Sequence, residues 1–502
     1  MKKRIIRLLG LLMAMSLLIS GCGDSADSGA TSGKRDDVII QINGDITSFD
    51  PFTQALDSDA FIYRQLYDTL IHVTADRDVE LRLAESYEVN ADSSVFTFKL
   101  KDGIKFHNGD VLKASDVVFT FEHYMESPFL STFVGGIESA TDIGNNTVQI
   151  KMHAPNAAFL NYCGDLIPIL SQRAVTEAGD NYDDAPVGTG PYKYVSYARA
   201  NQINMTRFDD YYRGPARIKD ITFRIMSNPS TAVIALQAGD IDFSLLMSAD
   251  YENVSNDPNL TIGNFPVQLV ELAIMNHTVA PFDNVTVRQA VSCAVDREFI
   301  LEAAAEGHGV IATNILPPGV FGYSPAIETD FLYDPGRAKD LLAQAGITTP
   351  LDIGTIITIE QFAQSAQILH QNLRDIGLNA DLEVMEFTRF GESLMLGDFT
   401  IASVQLGLTS DADSYAFLLA DEYIGGMNYA RYNNPAISGM FAQGRSTADL
   451  NERIRIYTEL FSIVGNDVAY LSYIFPYTHF AWNSKLNAPS LVTIHVYEMY
   501  WS

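Results

Sequence analysis

Hydrophobic and polar residues alternate along the chain with two different periods. In "SVFTFKLKDGIKF" (94–106) every second residue is apolar from Phe96 to Leu100, and the residues between them are polar. A period of two is typical of a strand with one buried face. Asp102 and Gly103 follow directly and predict a hairpin turn, because glycine adopts a positive φ without a steric penalty.

Other segments carry the period of a helix. A helix is predicted from about Ser115, and apolar residues spaced three or four apart predict two more, the first of which ends at Gly377. Their apolar positions are Phe362, Ala366, Leu369, Leu373 and Ile376 in the first, and Leu450, Ile454, Tyr457, Phe461 and Val464 in the second. Apolar runs at 38–42 and 353–358 predict buried strands, and the alternation at 379–384 predicts another strand. Strands and helices therefore mix throughout, which indicates an α/β or mixed α+β class.

The first residues have the pattern of an export signal. A cationic head, Lys2–Arg7, precedes an apolar run, Leu8–Ile19, that is shorter than the roughly 20 residues of a membrane-spanning helix. A permanent transmembrane anchor is the alternative. The letters "ISGC" that end the run resemble the bacterial lipobox, which implies a signal peptide at 1–21 and lipidation of Cys22. The protein is then expected to be exported and held at the outer face of the cell membrane by acyl chains.

Composition narrows the range of partners. The 502 residues include 33 basic and 62 acidic ones, for a net charge of −29, and such a surface predicts no nucleic-acid partner. Residues 22–37 are rich in Gly, Ser and Asp and predict a flexible tether. Besides Cys22, the chain has only Cys163 and Cys293, and the sequence leaves open whether they are buried thiols or form one bridge.

Sequence motifs of catalysis are missing from the chain. It contains no G-x-S-x-G, H-E-x-x-H or C-x-x-C, and no two of its nine histidines lie within five residues of each other. The segment "GTG" (188–190) lacks the remaining residues of a phosphate loop and favours a tight turn. We therefore predict no enzyme activity, no cofactor and no metal site, and expect a binding protein.

Ordered motifs along the whole chain carry a family resemblance. They are "ITSFDPF" (46–52), "QLYDTLI" (65–71), the long block 83–122 that includes "LKDGIKFHNGDVLKASDVVFTFE", and "NHTVAPFDNVTVRQAVSCAVDREFI" (276–300). In order and spacing they resemble the solute-binding lipoproteins of bacterial ABC importers, in the dipeptide- and oligopeptide-binding family (solute-binding protein family 5). The resemblance covers about 38–502.

The resemblance implies an α/β periplasmic-binding-protein fold of type II, with two hinged lobes and an inserted third domain. The expected parts are lobe one from 38–65, 186–270 and 476–502, the inserted domain at 66–185, and lobe two at 271–475. The implied mechanism is closure of the lobes around a solute, which requires the ligand to contact both lobes. The implied partners are an ABC permease and ATPase complex, and the protein is expected to be a monomer.

The family also implies where a ligand binds. In peptide-binding members an extended peptide lies between the lobes, and the loop at the first motif contributes contacts; its match here contains Asp45, Ile46 and Thr47. These members carry a W-x-x-D stretch whose Asp pairs with the α-ammonium of the peptide. Here Gln405 holds the tryptophan position and Leu408 the Asp position, so the sequence departs from the family pattern.

Nearby acidic residues offer replacements for the missing Asp. With a gap in the comparison, Thr409 or Asp411 takes its position, and Asp411 and Asp413 are both candidate carboxylates for the ligand. The alternative is that these two acids belong to a polar loop that caps the next helix. An unpaired buried ammonium costs several kcal/mol, so a peptide site requires such a partner.

Three functions follow from these observations. The first is a peptide-binding subunit of an ABC importer that uses Asp45 and the loop 405–415. The second is the same fold with another solute, such as an opine, an oligosaccharide or a metal complex. The third is a secreted enzyme or a sensor domain, which would require a nucleophile or metal set that the sequence does not show.

Overall fold

Twelve strands form a mixed sheet at the centre of the described chain. The computed structural model describes residues 35–52, 57–74, 78–127, 136–266, 268–327, 329–488 and 495–502. The strands in chain order are β1 (Asp37–Ile42), β2 (Ile71–Val73), β3 (Val79–Leu81), β4 (Ala84–Val89), β5 (Val95–Leu100), β6 (Ile137–Gly144), β7 (Thr147–Met152), β8 (Tyr192–Ala198), β9 (Gln202–Arg207), β10 (Asp220–Ile225), β11 (Phe243–Leu246), β12 (Leu260–Pro266), β13 (Leu269–Met275), β14 (Gly309–Ile311), β15 (Leu351–Ile359), β16 (Leu378–Met385), β17 (Ile401–Gly407), β18 (Leu471–Asn483), β19 (Leu486–Asn487) and β20 (Tyr500–Trp501). The large sheet has the order β16-β15-β17-β13-β18-β11-β1-β10-β9-β8, and β12 and β14 also pair with β18. A separate four-stranded sheet has the order β4-β5-β7-β6.

Helices pack against these sheets. In chain order they are α1 (Asp57–Leu66), α2 (Ala114–Glu126), α3 (Phe159–Asp165), α4 (Gln172–Ala178), α5 (Pro229–Ala238), α6 (Tyr251–Ser255), α7 (Val285–Ala294), α8 (Arg297–Ala304), α9 (Pro335–Gln344), α10 (Ala363–Asp375), α11 (Phe387–Leu396), α12 (Ala416–Leu419), α13 (Pro435–Arg445) and α14 (Leu450–Asn466). The predicted mixture of strands and helices is confirmed, including the strand at 353–358 and the helix that ends before Gly377.

The export signal, Cys22 and nearly all of the tether lie outside the described residues. Within the described ranges, no helix combines the length and the apolar character needed to cross a membrane.

The long strand β18 joins two halves of the large sheet. Its residues 477–483 pair with β12, and its residues 479–482 pair with β11 on the other side. Its residues 471–474 pair instead with β13. We call β8, β9, β10, β1, β11 and β12 the first half-sheet, and β16, β15, β17, β13 and β14 the second half-sheet.

The carboxyl ends of the parallel strands meet at one junction between the half-sheets. β1 is parallel to β10 and β11, and β11 is antiparallel to β18. β15 is parallel to β16 and β17, and β13 is antiparallel to both β17 and β18. The two parallel sets therefore run toward each other. The junction extends along β18 from His479, opposite Leu246, to Ile474, opposite Glu271, which at about 3.4 Å per residue is about 17 Å.

Apolar packing follows the same division. One buried cluster contains Ile40 of the first half-sheet together with Phe98 of the four-stranded sheet. The second half-sheet has separate clusters on its two faces, one around Leu272 and the other around Ala273. The segment 66–185 thus shares a core with the first half-sheet, and the division into two lobes and an inserted domain stays a prediction.

The cysteine question that the sequence left open is answered by burial. Cys163 and Cys293 are both buried free thiols, and they belong to different apolar clusters, one beside the first half-sheet and one beside the second. Because the clusters are separate, no bridge joins them, and burial raises the pKa of both thiols. They fill space in the core as small apolar side chains do.

The apolar stripe predicted for α14 is partly wrong. Its C-terminal positions, such as Phe461, are buried as predicted, but Leu450 and Ile454 are 52% and 36% exposed. Arg453 lies on the buried side of the helix instead. A buried guanidinium is tolerated there because it has a carboxylate partner, Asp411, which no pattern within the helix reveals.

The segment "GTG" is not a phosphate loop but a point of close backbone approach. A Cβ on Gly188 would lie 1.9 Å from the carbonyl oxygen of Leu66, which is rigid backbone. We expect Gly188→Ala to lower the free energy of unfolding by about 1–3 kcal/mol, the usual range for overpacking. Urea denaturation followed by circular dichroism would measure the change.

A matched glycine provides the control. Gly439 lies on the exposed side of α13, and a Cβ there would meet no atom within 4 Å. Gly439→Ala is expected to leave stability unchanged or raise it by up to about 1 kcal/mol, because alanine has the higher helix propensity. Equal effects of the two substitutions would contradict the steric explanation for Gly188.

Candidate functional site

The junction between the half-sheets is the candidate site. In open α/β sheets, ligands bind in the crevice outside the carboxyl ends of the strands. Residues 43–47 follow the carboxyl end of β1, and residues 408–411 follow that of β17. Both loops contain site residues predicted from the sequence, and the strand directions bring both loops to the junction.

The loop after β1 is held by its own half of the molecule. Asp45 is half-buried; its Oδ1 accepts a hydrogen bond from the Tyr197 hydroxyl at 2.6 Å and its Oδ2 one from the Ala200 amide at 2.8 Å. Ile46 is buried in the core of the first half-sheet, and Thr47 is exposed. The carboxylate of Asp45 therefore fixes the shape of the loop, while Thr47 is presented to the surface.

Glu271 is a buried carboxylate at the junction. It lies on β13 directly opposite Gln405 of β17, and opposed residues of an antiparallel pair have their side chains on the same face of the sheet. Glu271 is only 8% exposed. Burial raises the pKa of its carboxyl group, and a hydrogen bond from Ser365 opposes that effect in part. Among the described residues, no cation forms an ion pair with Glu271.

Two buried hydroxyl groups lie beside this acid. Ser403 is two residues from Gln405 on β17 and therefore shares its face of the sheet, and Tyr473 lies on β18. The Ser403 hydroxyl lies beside that of Tyr473 and lowers its pKa, whereas burial and the charge of Glu271 raise it. Neither hydroxyl forms a hydrogen bond of good geometry with any described residue. The two groups therefore have hydrogen-bonding capacity left for a bound molecule.

The other predicted residues of the 405–409 stretch line the end of β17. Gln405 and Leu408 are half-buried, and Leu408 packs against an apolar cluster of the second half-sheet. The Thr409 hydroxyl accepts a hydrogen bond from the Asp411 amide at 3.5 Å. Gln405 therefore contributes an amide next to Glu271, whereas Leu408 contributes an apolar surface on the side of the cluster around Leu272.

Asp411 is already fully paired. It is 0% exposed, and its Oδ1 lies 3.0 Å from Nη2 of Arg453, which is also buried. Its Oδ2 accepts a hydrogen bond from the Asn161 amide at 2.7 Å, and its Oδ1 accepts one from the Asp413 backbone at 2.9 Å. Asp411 thus caps the short 3₁₀ helix Ala412–Tyr415, as the alternative interpretation of this loop predicted.

Asp413 is likewise surrounded by protein groups. Nε of Arg445 lies 3.1 Å from its Oδ1, and the hydroxyl groups of Tyr162 and Tyr457 donate hydrogen bonds to it, both at 3.3 Å. Burial raises its pKa to about 6, although Arg445 lowers it. Because Tyr162 belongs to α3 and Arg445 to α13, this acid connects the segment 66–185 to the second half-sheet.

The structure therefore separates the predicted residues into two groups. Gln405 and Leu408 lie at the junction, whereas Asp411 and Asp413 lie in a buried ionic network with Arg453 and Arg445. Glu271 was missed because 134 residues separate it from Gln405 and only the register of β13 with β17 places them side by side. An acid in an otherwise apolar strand, "LVELAIM", is the one signal that could have drawn attention to it.

Sequence comparisons with known proteins identify the relatives of this chain. The family model for bacterial extracellular solute-binding proteins, family 5 Middle, matches residues 78–425. Heme-binding protein A of Haemophilus influenzae is 28% identical over 92% of this chain and 92% of its own length. The dipeptide-binding protein of Escherichia coli is 27% identical over 86% of this chain and 87% of its own. The names of these relatives indicate different solutes.

A solved structure agrees on the fold. The ABC transporter substrate-binding protein CtaP of Listeria monocytogenes superimposes with a TM-score of 0.85 at 24% identity, over 93% of this chain and 100% of that one. The predicted periplasmic-binding-protein fold is thereby confirmed. At this identity the likeness concerns the fold alone, so the solute has to be inferred from the site.

Proposed function

The chain belongs to the bacterial extracellular solute-binding proteins of family 5, and from this premise we propose that its solute is a short peptide with a free α-amino group. The peptide binds at the junction between the half-sheets and is delivered to the permease of an ABC importer. The family consists of binding proteins, and we propose no catalytic step. A dipeptide-binding protein among the relatives supports the choice of solute.

The observation that carries this proposal is the buried carboxylate of Glu271, which forms no ion pair with any cation of the described residues. An acid that loses its hydration without gaining a cation is unfavourable, and a ligand ammonium removes that penalty. Gln405 lies directly opposite on the neighbouring strand, where its amide can bind a peptide backbone group. The hydroxyls of Ser403 and Tyr473 offer further donors and acceptors.

The remaining residues of the sequence hypothesis divide between binding and support. We propose that Thr47 and Leu408 contact the ligand from the two sides of the junction, with Ile46 and Thr409 holding their loops. Asp45 shapes the first of these loops through Tyr197 and Ala200. Asp411 and Asp413 hold the second one rather than bind the ammonium, because cations of the protein already neutralise them.

We propose that the protein captures the peptide when the two half-sheets close around it at the junction. β18 and the β12–β13 segment both run from one half-sheet into the other, and bending of such crossing strands changes the angle between two lobes. A ligand favours the closed form only if it makes more contacts there than in the open form. A peptide held between Thr47 and Glu271 satisfies this condition because it touches both half-sheets.

We further propose that the protein works as a monomer outside the cytoplasmic membrane. Lipidation of Cys22 would anchor it, and the residues between Cys22 and β1 would tether the folded part to the lipid. The lipobox resemblance of "ISGC" supports the anchor. Metabolic labelling with a radioactive fatty acid, compared between the natural chain and Cys22→Ser, would test it; equal labelling of the two chains contradicts the proposal.

The solute proposal is tested by the thermal stability of the mature protein with candidate ligands. A tripeptide with a free amine is expected to raise the unfolding temperature; at 100 times its Kd a ligand adds about 2.7 kcal/mol of stability. The N-acetylated form of the same tripeptide should give a much smaller shift. Absence of a shift with all peptides, together with a clear shift with an oligosaccharide or hemin, would overturn the proposal.

A further inference from the structure

A cavity lies away from the junction. It has a volume of about 180 Å³ and lies where the start of the segment 66–185 meets the loop 211–213 and the C-terminal residues 495–498. None of its lining residues belongs to the range 271–475. Because the second half-sheet contributes nothing to its walls, this cavity cannot be part of the junction between the half-sheets.

Asp68 is the polar group at the wall of this cavity that is least satisfied. Its Oδ1 accepts a long hydrogen bond, 3.3 Å, from the Tyr211 hydroxyl. The Tyr212 hydroxyl lies beside the same carboxylate, but the buried Oδ2 forms no hydrogen bond of good geometry with any described residue. Burial raises the pKa of this carboxyl group to about 7, although Arg82 and the hydroxyls of Tyr211 and Tyr212 lower it. A buried carboxylate with two such weak neutral partners gains from a charged donor, and a ligand ammonium supplies one.

Cationic groups line the same cavity. Arg64, Arg82 and Arg213 are among its walls, in a chain whose net charge is −29. Their field acts on His495, whose pKa falls to about 3 because of burial first and then because of Arg64 and Arg82. Glu498 also lines the cavity and Glu80 pairs with Arg82 at 2.9 Å, so the surroundings of the cavity carry both signs of charge, which favours a zwitterionic ligand.

The remaining walls and the size limit the ligand further. Tyrosine and proline side chains, such as Tyr67, Tyr497 and Pro168, provide most of the apolar surface. A cavity of about 150 Å³ holds a benzene-sized molecule, so this cavity accommodates one small side chain and not an extended peptide. A cavity with apolar walls, an acid and several arginines is complementary to a molecule that carries an ammonium, a carboxylate and an apolar side chain.

We propose that this cavity is a second ligand site, which binds a free α-amino acid with an apolar side chain, its ammonium at Asp68 and its carboxylate toward Arg82. The site is independent of peptide capture at the junction. Through this site the protein binds a single amino acid while a peptide is bound at the junction.

Isothermal titration of the mature protein with L-leucine tests the proposal. Leucine is expected to bind with one-to-one stoichiometry, and Asp68→Asn should weaken it by roughly tenfold or more, since a hydrogen bond to a charged group is lost. Asp102→Asn, an exposed acid of the same segment, is the matched control and should leave leucine binding unchanged. Glu271→Gln should also leave it unchanged, which separates this site from the junction.

Two analogues test the chemistry without any substitution. 4-Methylpentanoate lacks the amine of leucine and 3-methylbutylamine lacks its carboxylate, and both are expected to bind at least roughly tenfold more weakly than leucine. This comparison tests whether the cavity recognises both the ammonium and the carboxylate, even if Asp68→Asn fails to fold. Absence of leucine binding at millimolar concentration overturns the proposal, as does leucine binding that Glu271→Gln abolishes and Asp68→Asn preserves.

Discussion

Replacement of Asp411 by alanine is expected to lower the free energy of unfolding by about 3–5 kcal/mol. The substitution leaves the guanidinium of Arg453 without its carboxylate in an environment where it is only 1% exposed. Stacking against the rings of Phe321 and Tyr457, at 4.6 and 5.4 Å, does not replace a full negative charge. Urea denaturation of the two proteins measures the difference.

A control on the same helix isolates the effect of burial. Arg455 also pairs with acids, Glu452 and Glu459, but these pairs are exposed. Arg455→Ala is expected to leave the denaturation midpoint nearly unchanged, because solvent and salt screen such pairs. A loss of stability as large as that of Asp411→Ala would show that α14 is sensitive to any change of charge.

A double substitution separates the effect of the unpaired charge on Arg453 from the effect of the lost side-chain volume. When Asp411→Val is combined with Arg453→Met, neither charge of this pair is left buried without its partner, and such replacements of ion pairs by apolar residues are often neutral. Most of the stability lost in Asp411→Ala should therefore return. A double variant as unstable as the single one would mean that packing, and not the unpaired charge, is responsible.

Glu271→Gln is expected to weaken binding of a tripeptide with a free amine by roughly 10- to 100-fold. A hydrogen bond between charged partners contributes about 1.5–3 kcal/mol, and each 1.4 kcal/mol is a factor of ten in Kd. Asp381→Asn, an exposed acid on β16, is the matched control and should not change Kd. Titration calorimetry of the three proteins with the tripeptide and with its N-acetylated form measures these affinities.

Two further results distinguish a binding role of Glu271 from a structural one. The substitution should have little effect on the N-acetylated peptide, because that ligand has no ammonium to pair with the carboxylate. It should also not destabilise the free protein at neutral pH. Burial raises the pKa of Glu271 in the folded state, so its ionised form disfavours folding above that pKa, and glutamine removes this cost. Equal losses for both peptides, or a marked loss of stability, would contradict the assignment.

The sequence predicted local structure well where one face of an element is buried. The strand Val95–Leu100 and the helix that ends before Gly377 follow from periods of two and 3.6, because each element buries one face. The same reasoning failed at Leu450 and Ile454, which are exposed. There the buried position belongs to Arg453, whose partner is 42 residues away, so no window of the helix contains the cause.

The sequence by itself determined the α/β class and the family, because periodicity and ordered motifs can be recognised in short stretches of sequence. Only the tertiary structure decided the roles of the acids. Asp411 and Glu271 are both buried carboxylates, yet one faces an arginine and the other no cation among the described residues. This difference depends on strand register and helix packing between distant segments. It is the reason why we assign Asp411 a structural role in its loop and propose a ligand-binding role for Glu271.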